Sequence, residues 1–218
     1  MSDLVIHERG PQQEPVQSLV ILLHGLGADG RDLIDLADYW GDVVPHTKFV
    51  SPDAPEPCDM APTGRQWFSL QDWSFKAMEH GAQNARPVLD AFIDSQLAKY
   101  NLKAGQCGLM GFSQGAMMAL YTAPRRDDRL AGVLSYSGLM LGGDDLLNND
   151  DRIQKSPVHL MHGEQDDLVP FNAWHDAWQK LKKAGFSVSG RSIPGLGHGI
   201  DPEGIHEGGR FLKDVLSA

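Results

Sequence analysis

This 218-residue sequence predicts an α/β fold with a mostly parallel central sheet and helices on both of its faces. Short aliphatic runs and longer helical patterns alternate from residue 19 onward, which is the signature of a parallel sheet wound with crossover helices. The runs at 19–23 and 130–136 are nearly continuous in apolar residues, as strands buried on both faces must be. Glycine-rich polar loops follow the strands directly, at the ends where such sheets gather their functional groups.

Residues 4–7 are half apolar and end at Gly10-Pro11, which suits an edge strand. The aliphatic run 19–23 empties into His24-Gly25-Leu26-Gly27-Ala28-Asp29-Gly30, where three glycines forbid helix and mark a loop. Leu33, Leu36, Ala37 and Trp40 recur at helical spacing, and 48–50 is a brief strand closed by Ser51-Pro52. The segment 52–75 has no sustained period but carries Trp67, Phe68, Leu70, Trp73 and Phe75. Structureless stretches of that length are uncommon unless functional, so it is read both as a loop pinned by its aromatics and as one wall of an apolar pocket. A long helix is expected over 76–100, with Val88, Leu89, Phe92, Ile93 and Leu97 on its buried stripe and a kink at Pro87. Strands are expected at 107–110, 130–136, 158–161 and 186–193. Helices are expected after Ser113, over 171–184 and over 202–216, and the acidic stretch 142–154 is read as surface. Neither a repeat nor a linker interrupts the pattern, so the expectation is a single domain over 1–218.

Composition narrows the function. Apolar content of 41% and charged content of 22% are ordinary for a globular protein, and a net charge of −10 argues against nucleic acid or anionic membranes as partners. Cys58 and Cys107 are far apart and read as free thiols of a reducing compartment. With no basic-then-apolar leader in residues 1–14 and no apolar run long enough to span a bilayer, a cytoplasmic location without stable membrane insertion is expected.

The chemistry centres on Gly111-Phe112-Ser113-Gln114-Gly115, between an apolar strand and a helix-forming run. Glycine two places either side of a serine is the form of a nucleophile elbow, a turn so tight that a Cβ at either flank would clash. The competing reading is a serine that merely caps a helix. A serine hydroxyl needs a base, and His198, in the loop Pro194-Gly195-Leu196-Gly197-His198-Gly199 after the last strand, is best placed to supply one. His206 on the terminal helix is the fallback, while His24 and His162 read as loop-shaping residues. The acid that orients the base comes from His162-Gly163-Glu164-Gln165-Asp166-Asp167. Asp166 and Asp167 compete there, Glu164 stands behind them, and the unchosen aspartate is expected to cap the turn before Leu168. Ser, Asp and His in that chain order are those of an α/β-hydrolase fold. The oxyanion needs two preplaced donors: the backbone N–H of Gln114 and one from the glycine-rich loop, best Leu26.

Leu23-His24-Gly25-Leu26-Gly27, Gly-Phe-Ser-Gln-Gly at 111–115, His162-Gly163-Glu164-Gln165-Asp166, Val169-Pro170 and Gly197-His198 together resemble the phospholipase/carboxylesterase family. That family includes small bacterial carboxylesterases and acyl-protein thioesterases. The resemblance runs from about residue 16 to the C-terminus and implies Asp166 rather than Asp167 as the acid. It also implies Leu26 and Gln114 as the oxyanion donors, and no metal or organic cofactor. Homodimers are familiar among similar proteins, which leaves a homodimer open here. Two departures stand out: Ser69 occupies a position where thioesterase members usually carry aspartate, and Ala116 replaces a second glycine after the elbow.

The expectation is therefore a serine carboxylesterase without a large cap domain, since no helical insertion separates strand 130–136 from the Asp166 strand. Ser113, Asp166 and His198 are its expected catalytic residues. Its substrate is a small ester of short to medium acyl length, held by Leu26, Trp67, Phe68, Leu70, Met117, Leu168 and Val169. A thioesterase or lysophospholipase using the same triad is the alternative.

Overall fold

In the computed structural model, which describes residues 4–148 and 151–217, a seven-stranded sheet forms the centre. Its strands are β1 (Ile6–Arg9), β2 (Ser18–Leu23), β3 (Thr47–Pro52), β6 (Cys107–Phe112), β7 (Gly132–Tyr136), β8 (Val158–Gly163) and β9 (Val188–Ile193). A small hairpin of β4 (Glu56–Pro57) and β5 (Arg65–Gln66) lies outside it. The spatial order is β1-β3-β2-β6-β7-β8-β9, and every pairing is parallel except that of the edge strand β1 with β3. No separate cap domain is present among the described residues.

Both faces of the sheet are covered. On one, Leu19, Ile21, Leu109, Val133 and Leu160 pack into a core shared with α3 (Phe75–Tyr100), α4 (Gln114–Thr122) and α5 (Asn172–Lys183). On the other, Val20, Leu22, Met110, Leu134 and Met161 meet α1 (Arg31–Ile34), α2 (Leu36–Trp40) and α6 (Pro202–Leu216). Alternate residues of each strand thus serve opposite cores, which is why these strands read as continuous apolar runs. From β2 the chain winds outward to β3, then returns to lay β6 on the other flank of β2. The crevice outside the carboxyl ends of β2 and β6 is a topological switch point, where open α/β sheets place ligands.

Helix ends follow local chemistry. Asp201 caps α6 by accepting the Gly204 N–H, with Pro202 at the first helical position. Ser74 caps α3, whose helix runs through Pro87. Val88 is exposed, not part of the buried stripe. Leu89, Phe92, Ile93, Gln96 and Leu97 fill the i, i+3, i+4 positions, and Val88 lies one step of about 100° away. β1 begins two residues later than expected, so that Ile6 to Arg9 face Pro52 to Phe49. The stretch after 142 is not simply surface. Gly142, Gly143 and Leu146 are buried, and the Arg125 guanidinium donates to the Gly142 carbonyl. Residues 149–150 of that stretch lie outside the described residues. In the 52–75 segment the aromatics divide, with Trp67, Phe68 and Leu70 in the core and Trp73 and Phe75 exposed.

Candidate active site

Ser113 connects β6 to α4 with φ 53° and ψ −118°. A non-glycine residue there is strained by order 1–3 kcal/mol and persists only where its surroundings over-determine it. They do so here. A Cβ on Gly111 would strike the Gly115 backbone, and one on Gly115 would strike the Leu23 carbonyl, so the turn closes directly against β2. The Ser113 N–H donates to the Tyr136 carbonyl at 3.0 Å. Ser113 occupies the N-cap position of α4, yet its side chain makes no capping hydrogen bond. The helix-capping reading of this serine therefore fails, and the hydroxyl is left beside the positive end of the helix dipole.

His198 and Asp166 come together from the loops after β9 and β8. Nδ1 of His198 lies 2.7 Å from Oδ2 of Asp166, and the His198 ring packs on Phe112, next to Ser113, at a centroid distance of 4.9 Å. The Asp166 carboxylate is itself buried. Its Oδ1 accepts the N–H groups of Leu168 and Val169 at 3.0 and 2.8 Å. Burial disfavours the ionised form and works to raise the pKa of this carboxyl. The His198 hydrogen bond and charge and the two backbone donors outweigh it and hold the group below the usual carboxylate range. One aspartate thus both orients the imidazole and caps its own turn; Asp167, expected to cap, is exposed and takes no part. His206 is exposed on α6, away from these groups.

His24 and His162 shape loops, as expected. Nε2 of His24 accepts the Ala54 N–H at 2.9 Å, so its Nδ1 carries the proton that meets the Gly25 carbonyl at 2.7 Å. His162 Nε2 reaches the Val169 carbonyl at 2.9 Å. Burial pushes both imidazoles below their ordinary range, so both are neutral near pH 7. The glycine-rich loop that begins at His24 offers backbone donors. The N–H groups of Gly27 and Ala28 are taken by the carbonyls of Arg65 and Gly25. Among the described residues no acceptor pairs with the N–H of Leu26 or with that of Gln114 at the first position of α4.

The expected acyl-pocket wall needs correction. Trp67, Phe68, Leu70, Met117 and Val169 are core residues, each no more than 6% exposed, and only Leu26 and Leu168 present apolar surface. Trp67 turns inward because its indole N–H finds the His24 carbonyl at 3.1 Å, which satisfies the ring's polar atom in the interior. Phe112, half-buried against His198, was not anticipated as part of the surroundings; its place before the elbow serine was the available signal. Among the described residues His7, Asp29 and Asp53 could hold a metal. They lie by the β1–β3 edge, and their carboxylates already serve Arg31 and the Gly30 N–H.

A model of the phospholipase/carboxylesterase family matches residues 6–216. The chain belongs to that family. The crystal structure of esterase PE8 superposes with a TM-score of 0.92 at 39% identity, covering 98% of this chain and 99% of that one. Acyl-protein thioesterase 1 of Aspergillus fumigatus is 29% identical over 215 residues, 90% of this chain and 87% of its own. Esterase YpfH of Escherichia coli is 26% identical over 188 residues, 86% of this chain and 78% of its own. The fold is the α/β-hydrolase fold, and the chain is a hydrolase of this esterase and thioesterase family. Among the described residues no helix is long and apolar enough to cross a membrane.

Proposed function

We propose that this hydrolase is a serine carboxylesterase that cleaves short- to medium-chain esters through an acyl-enzyme. The observation that carries the reading is a strained serine whose hydroxyl caps nothing, directly after a phenylalanine on which an imidazole held by a buried carboxylate packs. Ser113 Oγ attacks the ester carbonyl as His198 Nε2 takes its proton, while Asp166 holds Nδ1–H and stabilises the imidazolium. The N–H groups of Leu26 and Gln114 receive the oxyanion, where one such donor is worth about 3–4 kcal/mol of barrier. His198 then protonates the departing alcohol, and water, activated by the same base, releases the acid.

Leu26 and Leu168 leave a short apolar margin for an acyl chain. Each buried methylene contributes roughly 0.8 kcal/mol, so turnover of p-nitrophenyl esters should rise with length and peak at about four to eight carbons. Cys58 and Cys107 as free thiols favour the cytoplasm.

One observation keeps the thioesterase reading alongside. Ser69 stands where thioesterase relatives usually carry aspartate, yet its hydroxyl donates to the Asp59 carboxylate at 2.5 Å. A carboxylate is thus present at that loop position, supplied by a different residue. Labelling with a fluorophosphonate, followed by relative kcat/KM for butyryl oxyester, acyl thioester and lysophospholipid, tests both readings. Failure to label Ser113 sinks both, and a thioester preference over the matched oxyester moves the assignment to the second.

A further inference from the structure

The side chain of Gln114 has its own task. It is fully buried, and both ends of its amide are engaged: Oε1 accepts the Trp67 N–H at 2.9 Å, and Nε2 donates to the Phe68 carbonyl at 2.8 Å. One acceptor and one donor thereby meet one backbone N–H and one backbone C=O, a match that a carboxylate or a hydrocarbon of equal length cannot make. The connection continues beyond that amide. The Trp67 indole donates to the His24 carbonyl at 3.1 Å, and the Arg65 backbone exchanges hydrogen bonds with Gly27 and Ala28 at 2.9 and 2.8 Å. At Gly64 the chain lies so close to Gly27 that a Cβ would enter the Gly27 backbone. Residues 64–68 therefore grip the Leu26 loop on both sides of Leu26 and grip the elbow through Gln114.

The two N–H groups assigned to the oxyanion sit on loops of different strands. Sheet pairing fixes β2 against β6 only as far as Leu23 opposite Gly111. Beyond that register, the 64–68 segment bridges the two loops. We propose that the Gln114 side chain is a positioning group that, through Trp67, sets the spacing between the Gln114 and Leu26 N–H donors. The proposal rests on the serine-esterase reading above. Such donors must stand about 2.7–3.1 Å from the oxyanion, and a misplacement of about 1 Å costs order 10²-fold in rate.

The test uses the full chain with Gln114→Met, Gln114→Glu and Trp67→Phe, measured by ester kinetics and by hydrogen exchange at the Trp67 amide. Gln114→Met should lower kcat by about 10- to 100-fold with KM within about threefold, because the loss falls on a transition-state interaction. The Trp67 amide should exchange faster in that variant. Trp67→Phe keeps a ring but drops the indole donor, so it should also lower kcat, and the double variant should lose less than the product of the singles. In Gln114→Glu a protonated carboxyl can both accept and donate. Its kcat relative to wild type should therefore climb by about tenfold between pH 8 and pH 5, whereas a merely steric defect gives a flat ratio. Faster exchange with wild-type kcat would overturn the coupling, and unchanged exchange would overturn the latch. If the wild-type chain turns over no ester or thioester, the functional reading fails and takes the catalytic half of the proposal with it. The exchange arm still decides the latch in that case.

Discussion

Two serines at neighbouring strand ends invite comparison. Ser113 after β6 and Ser137 after β7 both adopt positive φ, 53° and 50°. Each donates its N–H one strand further along the sheet, Ser113 to Tyr136 and Ser137 to Met161. There the likeness ends. Ser113 is half-buried and opens a nine-residue helix, whereas Ser137 is fully buried, its hydroxyl meeting no partner among the described residues. Gly138 follows it, and a Cβ there would strike Ala116 of α4, so the helix begun at Ser113 occupies the space above Ser137. A strained serine at the end of a parallel strand is thus not enough. On the proposed mechanism, reactivity also needs an open face, a helix N-terminus behind the serine and an imidazole within its reach.

The sharpest way to break this comparison is Ser113→Ala. It should cut ester turnover by at least about 10⁴-fold and abolish fluorophosphonate labelling, with unfolding unchanged. A label that moves to Ser137 would reverse the assignment. Next in size is Asp166→Asn, which leaves His198 without a charged orienter and should cost about 10⁴-fold in kcat, whereas Asp167→Asn should stay within about threefold. Equal losses from the two aspartates would show that the β8 loop works differently from the geometry given above.

Gly115→Ala probes the backbone side of the contrast. Its methyl meets a fixed carbonyl of β2, so a destabilisation above about 3 kcal/mol is expected, read as a lower urea midpoint. A wild-type midpoint would mean that the elbow can relax away from β2.

Each serine also has a buried neutral histidine on the adjoining strand end, His24 beside Ser113 and His162 beside Ser137. Burial lowers both imidazoles, so the unfolded chain binds protons that the folded chain refuses, and stability should fall as pH drops below about 6.5. A second loss should follow as pH falls through and below about 3.8, where the unfolded Asp166 carboxyl protonates before the folded one does. Denaturant titrations at stepped pH measure both losses; a flat profile between pH 7 and pH 5 would contradict the histidine contribution. The smallest effect belongs to Ser137→Ala. It deletes a hydroxyl that makes no bond among the described residues, and it should change stability by less than about 1 kcal/mol while turnover stays within about twofold.

The sequence was most readable where one residue type has one physical use. Pro202 after Asp201 marks the start of α6, and the glycines flanking Ser113 mark the elbow, because few other arrangements suit those residues. Reading failed where a residue's neighbours decide its role. Val88 is apolar enough for the core but sits off the buried row of α3. Trp67 and Phe68 suit a ligand wall and a core equally well, and only the His24 carbonyl and the Gln114 amide settle which way they turn. Asp166 could be chosen over Asp167 only by resemblance. That it caps its own turn as well depends on two backbone N–H groups whose direction the sequence does not reveal. The hairpin of β4 and β5 is not legible in the sequence because each of its strands has two residues, too few for any periodicity.

The strand order also has a consequence in time. Ser113, the proposed nucleophile, lies near the middle of the chain, and His198, its proposed base, follows β9, an edge strand held by β8 alone. A chain growing from its N-terminus therefore displays its serine well before any base can reach it. On the proposed mechanism Ser113 stays an ordinary hydroxyl until the last strand docks and brings the His198 loop into place. Fraying of that same edge would displace the His198 loop first, while the elbow stays held between β2 and β7. On the proposed mechanism, hydrolytic turnover would thus report that the last strand of the sheet has docked.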